Sequence, residues 1–193
     1  MRIIDFLFKK SKPIKNSSPK NKGASATESF LFPTPEIIKV PTIPEKFNRT
    51  YKARSRSEPE KIYEVNVKHL SCTCKGFLQY RASYENNDVR RVCPHIYDKL
   101  YQTKVEQTFP HILRLVIRYG RNDKNFKTLE DNDGEFLFGY SPNSFWVRIF
   151  ANVGGVTSVG LYNLKENRWG YEDIPKHSAL LIDKVLMVFQ KHC

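Results

Sequence analysis

Two short pairs of side chains constrain this chain more than anything else in it: Cys72-Thr-Cys74, then eighteen residues, then Cys93-Pro-His95. Three soft thiolates and one imidazole make a closed tetrahedral donor set that leaves no position for water, and such a set fits structural zinc. Backbone geometry supports the pairing. Two residues subtend about 200° on a helix of 3.6 residues per turn, so Cys93 and His95 cannot both lie inside a straight helix and face one ion. Pro94 at the first helical position resolves this: Cys93 falls just outside the helix and His95 in its first turn. The unpaired N–H groups of that turn favour a thiolate there. Cys72 and Cys74 follow the end of a strand, where a tight knuckle can turn both sulfurs to one side. His69 is close enough to compete as a ligand, but it falls within or at the end of the strand rather than at the knuckle. No glutamate adjoins the ligands as in hydrolytic or deaminase zinc motifs, so the site reads as structural and the chain as non-enzymatic.

The surrounding chain can support a packed domain. It has 193 residues, 40% hydrophobic and 27% charged, a globular composition that excludes collagen, coiled coil and wholesale disorder. No run approaches the roughly 18 apolar residues of a membrane span. The apolar patch Ile3 to Phe8 contains Asp5 and is too short for a signal-peptide core, so the expected location is intracellular: cytoplasmic, or nuclear in a eukaryote. Four cysteines in such a setting read as metal ligands rather than a disulfide framework, with Cys193 an inert terminal thiol.

Four regions follow from composition and period. Residues 1–28 form a flexible basic arm, since the Ser-, Lys-, Asn- and Pro-rich stretch 11–28 has too little apolar surface to offset its ordering entropy. Its first ten residues are an apolar cluster that frays, docks on a partner or folds back on the domain. Residues 29–50 are a Pro-rich extended segment laid on the core. Residues 51–120 hold the metal motif and a helical connector. Tyr51 to Ser57 and Ile62 to Val67 read as a hairpin. A helix follows from Pro94, with Ile96, Leu100, Tyr101 and Val105 on one side, and a second runs from His111 to Tyr119, stopped by Gly120. Residues 121–193 read as an antiparallel meander of four strands, Glu135 to Tyr140, Phe145 to Ala151, Val156 to Tyr162 and Arg168 to Glu172. From Pro175 a helix presents Leu181, Ile182, Val185, Leu186 and Phe189 to that sheet, with Trp146 and Trp169 in its core. The expected fold class is α+β: a zinc-stapled ββα module, then a small meander capped by a C-terminal helix, behind a disordered N-terminal arm.

Residues 51–101 resemble the SWIM-type zinc finger. The likeness rests on the strand Tyr63-Glu-Val65, on Cys72-Thr-Cys74, on the insert Lys75 to Val92, and on Cys93-Pro-His95-Ile96 at the start of an apolar helix. It implies that Cys72, Cys74, Cys93 and His95 hold Zn2+ in a ββα arrangement. It also implies DNA binding or protein interaction as the task. The eighteen-residue insert is long for such a module. No ATPase or transposase domain accompanies it, so neither activity carries over.

Charge points to an anionic partner. The net charge is +12, and it is uneven: residues 1–61 hold 14 Lys/Arg against 6 Asp/Glu, residues 62–120 hold 9 against 5, and residues 121–193 hold 9 against 9. The candidate nucleic-acid contacts are Arg54 and Arg56 on the first strand, Lys75 after the knuckle, Arg90 and Arg91 before Cys93, and Arg114, Arg118 and Arg121 along the second helix. Zinc with three thiolates carries a formal net −1, so Lys75, Arg90 and Arg91 either neutralise the site or contact phosphate. For Arg114, Arg118 and Arg121 a solvated helix face is a stronger reading than phosphate contact. Tyr80 and Tyr84 are placed to stack on bases or to join the core. The expected function is nucleic-acid binding, DNA before RNA; the alternative is an adaptor docking a protein through the zinc module, residues 121–193 or residues 1–10. Asp131-Asn-Asp133-Gly134 has the look of a calcium loop, but no glutamate closes it. No nucleophile set argues for an enzyme in the last third.

Overall fold

A computed structural model describes residues 32–132 and 134–172, together with Asp183 and Met187. The expected flexible arm, the docking peptide at residues 1–10 and Cys193 lie outside the described residues. So does the helix after Pro175, apart from Asp183 and Met187, which are both helical and exposed.

Residues 50–172, as far as they are described, form two antiparallel sheets joined by three helices. The first sheet has the order β1 (Thr50–Arg54), β2 (Ile62–Asn66), β3 (Ser71–Cys72). Alternation of apolar and polar residues makes β1 and β2 a half-buried hairpin, in register from Thr50 opposite Asn66 to Arg54 opposite Ile62. Its loop is closed by Ser55, whose hydroxyl accepts the Glu58 N–H at 3.1 Å. A tighter turn leads to β3. The Asn66 side chain accepts the His69 N–H at 3.1 Å, and Leu70 takes the left-handed conformation with φ +44°, pinned there by burial.

Three helices follow: α1 (Lys75–Tyr80), α2 (Pro94–Gln102) and α3 (His111–Tyr119). The expected boundaries of α2 and α3 hold to within a few residues, because Pro94, Pro110 and Gly120 punctuate them. Tyr101 does not face the core as expected; it is exposed beyond the buried row Ile96 and Leu100. The insert between the two ligand pairs is not irregular throughout. It contains α1 and a 3-10 turn, Val89–Arg91, capped by Asp88.

The second sheet is a meander in chain order, β4 (Asn125–Asp131), β5 (Gly134–Tyr140), β6 (Trp146–Val153), β7 (Val156–Asn163) and β8 (Arg168–Glu172). It has five strands where the sequence suggested four. The additional strand is β4, and the ends of the segment with the look of a calcium loop, Asp131 and Gly134, are paired strand residues of β4 and β5. Gly154 and Gly155, at φ +57° and +79°, form the two-residue turn between Val153 and Val156, a geometry in which both residues need a positive φ. Gly139 serves a different purpose. A Cβ there would lie 2.2 Å from Asp123 Oδ2, so glycine is what lets the Asp123 carboxylate lie against β5.

One apolar cluster runs through both halves. Val65, Leu70, Ile96 and Leu100 meet Val116 and Ile117 of α3, which in turn cover Phe126, Leu137, Phe150 and Val159 on one face of the meander. The opposite face carries Phe136, Phe138, Tyr140, Val147 and Ile149, all buried. Of the two tryptophans, Trp169 packs against that second cluster, while Trp146 lies half-buried with its ring against Gly170.

The Pro-rich segment crosses from one sheet to the other. Glu36 donates its N–H to the Phe126 carbonyl of β4 at 2.7 Å, and its carboxylate accepts from Lys127 and Thr128. Tyr140 donates its hydroxyl to the Pro33 carbonyl. Further on, Val89 donates to Ile38 at 2.9 Å and Val40 to Asn87 at 2.6 Å, while Val40 and Ile43 enter the core. Among the described residues no helix is long and apolar enough to cross a membrane.

Candidate metal centre

Each of the four expected ligands stands where backbone geometry changes. Cys72 closes β3, Cys74 is the N-cap of α1, Cys93 is the N-cap of α2, and His95 lies in the first turn of α2 behind Pro94. Their ligand atoms all lie within 4.8 Å of one another. The Cys74 and Cys93 sulfurs are 3.9 Å apart, as are Cys72 Sγ and His95 Nδ1. Sulfurs that share a tetrahedral zinc at about 2.3 Å stand about 3.8 Å from each other, so the set is compatible with a zinc site. His69 is exposed on the β2–β3 turn and does not join the cluster.

The local backbone prepares the sulfurs. The Cys74 N–H points at Cys72 Sγ and the Phe77 N–H at Cys74 Sγ, both at 3.4 Å, so the knuckle turns amides toward two ligands. Thr73, between them, anchors the knuckle to β2: its N–H donates to the Glu64 carbonyl at 3.0 Å, and its hydroxyl accepts the Glu64 N–H at 2.9 Å. The three thiols are free and buried. Tyr63 packs its ring on His95 at 4.8 Å between centroids, fixing the imidazole plane.

Electrostatics make the three sulfurs unequal. A hydrogen bond from Cys72, with further help from the Ile96 and His95 amides, holds the Cys93 thiol down at about 5 against the effect of burial. Cys72 is pushed up by that same hydrogen bond and by burial, and Cys74 by burial and the charge on Cys93. Thiols raised in this way give up their protons when they take a cation, the usual coupling of thiolate metal sites to pH.

The basic residues divide into three groups. Arg90 and Arg91 brace the insert. Arg90 forks onto the Asp88 carboxylate and stacks over Tyr84 at 4.2 Å. Arg91 is only 7% exposed and donates to the carbonyls of Leu70, Ala82 and Tyr84. It has no surface to offer a phosphate, and neither arginine hydrogen-bonds to a ligand sulfur. Arg56 is held by a two-pronged ion pair to Asp98 of α2, at 2.8 and 2.9 Å, which ties the hairpin loop to the helix carrying His95. Arg54 is exposed on β1. On α3, Arg118 lies over Tyr119 and Arg114 contacts His111, while Arg121, just beyond its end, lies over Tyr97.

Beside the ligands lies a groove of about 630 Å³. Cys74, Cys93 and His95 form part of its wall, and Arg56, Lys75, Arg81 and Lys124 bring positive charge to it. Two of these residues were not singled out by the sequence, Arg81 and Lys124. Arg81 ends α1 and reaches the Arg90 carbonyl at 2.7 Å and Asn122 Oδ1 at 3.3 Å. Burial lowers its pKa, opposed by the negative charge on Cys93. Lys124 arrives from the loop after α3, fifty positions from Cys74 in sequence, so no local pattern links it to the motif. Comparison with protein-family models, curated proteins and solved structures gave no match. Chemistry and geometry therefore carry the functional reading alone.

Proposed function

We propose that this chain is a non-enzymatic zinc protein of the SWIM type that binds nucleic acid through the basic groove beside its Cys3His centre. The observation that carries the reading is the charge of that groove. Among the described residues, Arg56, Lys75, Arg81 and Lys124 line it against one acid, Glu58, and Lys75, Arg81 and Lys124 have no carboxylate within 4.0 Å of their charged nitrogens. Cations without a carboxylate partner on a concave surface are suited to phosphate, which can displace their hydration and release counterions. The SWIM reading is supported by a hairpin ahead of the first ligand pair and by a proline-opened helix carrying the second. That likeness also puts DNA before RNA.

Zinc, when bound, supplies a four-point cross-link with no open position for chemistry. The chain's own residues then fix the surface: Thr73 holds the knuckle, Arg91 the insert and Arg56 the hairpin loop. The test is a titration of the full chain with labelled DNA and RNA at about 50 and about 200 mM salt. Affinity should fall steeply with salt, and Lys75→Glu with Lys124→Glu should weaken it about tenfold or more. Absence of binding at the lower salt would overturn the reading. The second reading, a protein-docking adaptor, would then take its place; Leu78 and Tyr101, 61% and 65% exposed, are the observations that favour it.

A further inference from the structure

Resting on the nucleic-acid reading, we infer that the groove beside the metal centre takes single-stranded nucleic acid, with one base stacked on Tyr80 and flanking phosphates at Lys75 and Lys124. Shape is the first argument. The surface is concave, about 630 Å³, within the range that encloses a ligand of one or two nucleotides. A duplex is read by elements that project into its grooves, such as a long helix or a two-stranded ribbon. Here α1 is six residues long, too short to fill a duplex groove, and Lys75, Gly76 and Tyr80 of it border the depression.

The aromatic residue is the second argument. Tyr80 lines the groove, is 64% exposed and makes no ring contact among the described residues. An exposed aromatic face beside lysines is a stacking platform, which only an unpaired base can use, because in a duplex both faces of each base are already covered. Tyr84 illustrates the contrast: it is already under the Arg90 guanidinium and is not free to stack.

Chain direction supplies the third. Lys75 opens α1, Tyr80 closes it, and Arg81 follows, so one short element brings two cations and the ring to the groove wall. Lys124 contributes from the other half of the molecule. Arg121 lies within electrostatic reach of Arg81 and extends the positive track toward Arg118 on α3. A strand leaving the groove therefore meets further positive charge along α3, in keeping with the alternation of aromatic and basic groups in single-strand binders.

The full-length, metal-loaded protein is titrated at one ionic strength with labelled oligo-dT, oligo-U and a duplex of equal length, and with oligo-glutamate as competitor. Either single strand should bind about tenfold tighter than the duplex. Tyr80→Ala should lose about tenfold on the strand with its salt slope unchanged, while Tyr80→Phe keeps wild-type affinity, since stacking needs the ring and not the hydroxyl. Lys75→Glu should reduce the salt slope instead. Tyr80 is exposed, so its replacement leaves the fold intact. Equal or tighter duplex binding, full affinity in Tyr80→Ala, or displacement by oligo-glutamate as effective as by oligo-dT overturns the single-strand assignment and leaves nucleic-acid or anion binding standing. Failure of every oligonucleotide to bind overturns the earlier reading with it.

Discussion

Asp123 is a largely covered acid with a cost, its side chain 14% exposed. It lies between Gly139 and Arg148, which donates to it at 3.2 Å, yet desolvation outweighs the arginine and raises its carboxyl to about 6. A group whose folded pKa exceeds its unfolded value adds stability that is fully present below the unfolded pKa, here 3.8, and lost as pH rises through about 6. Relative to the wild type, Asp123→Asn should therefore gain stability as pH is raised from 4 to 7, by up to about 3 kcal/mol. Urea unfolding of both proteins at the two pH values reads this difference; a gap that does not widen with pH would show that Asp123 is ionised freely in the fold. The residue scale is also where the sequence spoke most clearly. The cluster of Cys72, Cys74, Cys93 and His95 was legible because a proline-set helix start lets Cys93 and His95 face one point. Arg91 was not legible, since an arginine beside a metal motif carries the same letter whether it reaches out to phosphate or in to carbonyls.

At the scale of elements, punctuation decided what could be read. Helices α2 and α3 and strands β5 to β8 lie between prolines, glycines and turn residues, and their expected bounds are close to those found. Strand β4 was missed because only Phe126 and Leu129 are apolar in its seven residues; its pairing comes from β5 and from the Pro-rich segment, both distant or downstream in the chain. Helix α1 was missed for a related reason: six residues with a glycine at the second position have no periodic signal, and Cys74 as N-cap supplies the start. The insert around α1 depends on Arg91, whose guanidinium satisfies three carbonyls from two separate segments and lies over Phe77 at 5.1 Å. Arg91→Met should cost about 2–4 kcal/mol in chemical unfolding by leaving those carbonyls unpaired. The folded fraction should retain the affinity of the wild type for nucleic acid, because Arg91 has no place on the groove surface. A stability change below about 0.5 kcal/mol would show that the brace is dispensable.

For the whole molecule the question is how far the metal centre's influence reaches. Sequence composition suggested a basic front and a neutral rear that could behave separately. The shared cluster from Val65 through Val116 to Phe150 joins them, whereas the far face of the meander, around Phe138 and Ile149, belongs to a second cluster. In Cys74→Ser, hydrogen exchange should accelerate most across residues 50–101, to an intermediate degree in α3, and least in β5 to β7. Uniform acceleration would mean that the two clusters unfold together, and unchanged exchange across residues 50–101 would mean that the cross-link holds nothing. The role of residues 121–193 was the least legible part, because a meander of ordinary strands has no side-chain signature beyond its own packing.

The Pro-rich segment has a consequence in time. Glu36 is separated from its partner Lys127 by 91 positions, and Pro33 from Tyr140 by 107. A ribosome adding about 5–20 residues per second makes the segment roughly 5–20 s before the strand that receives it. Throughout that interval residues 33–36 have no seat, although Ile38 and Val40 already have partners in Val89 and Asn87, and once β4 emerges its outer backbone is an open template for any extended chain nearby. Glu36 and its neighbours occupy part of that template in the finished protein. The earliest-made part of the described chain is thus also a guard against mispairing of a late-made edge, and it can take up that post only after the meander has begun to form.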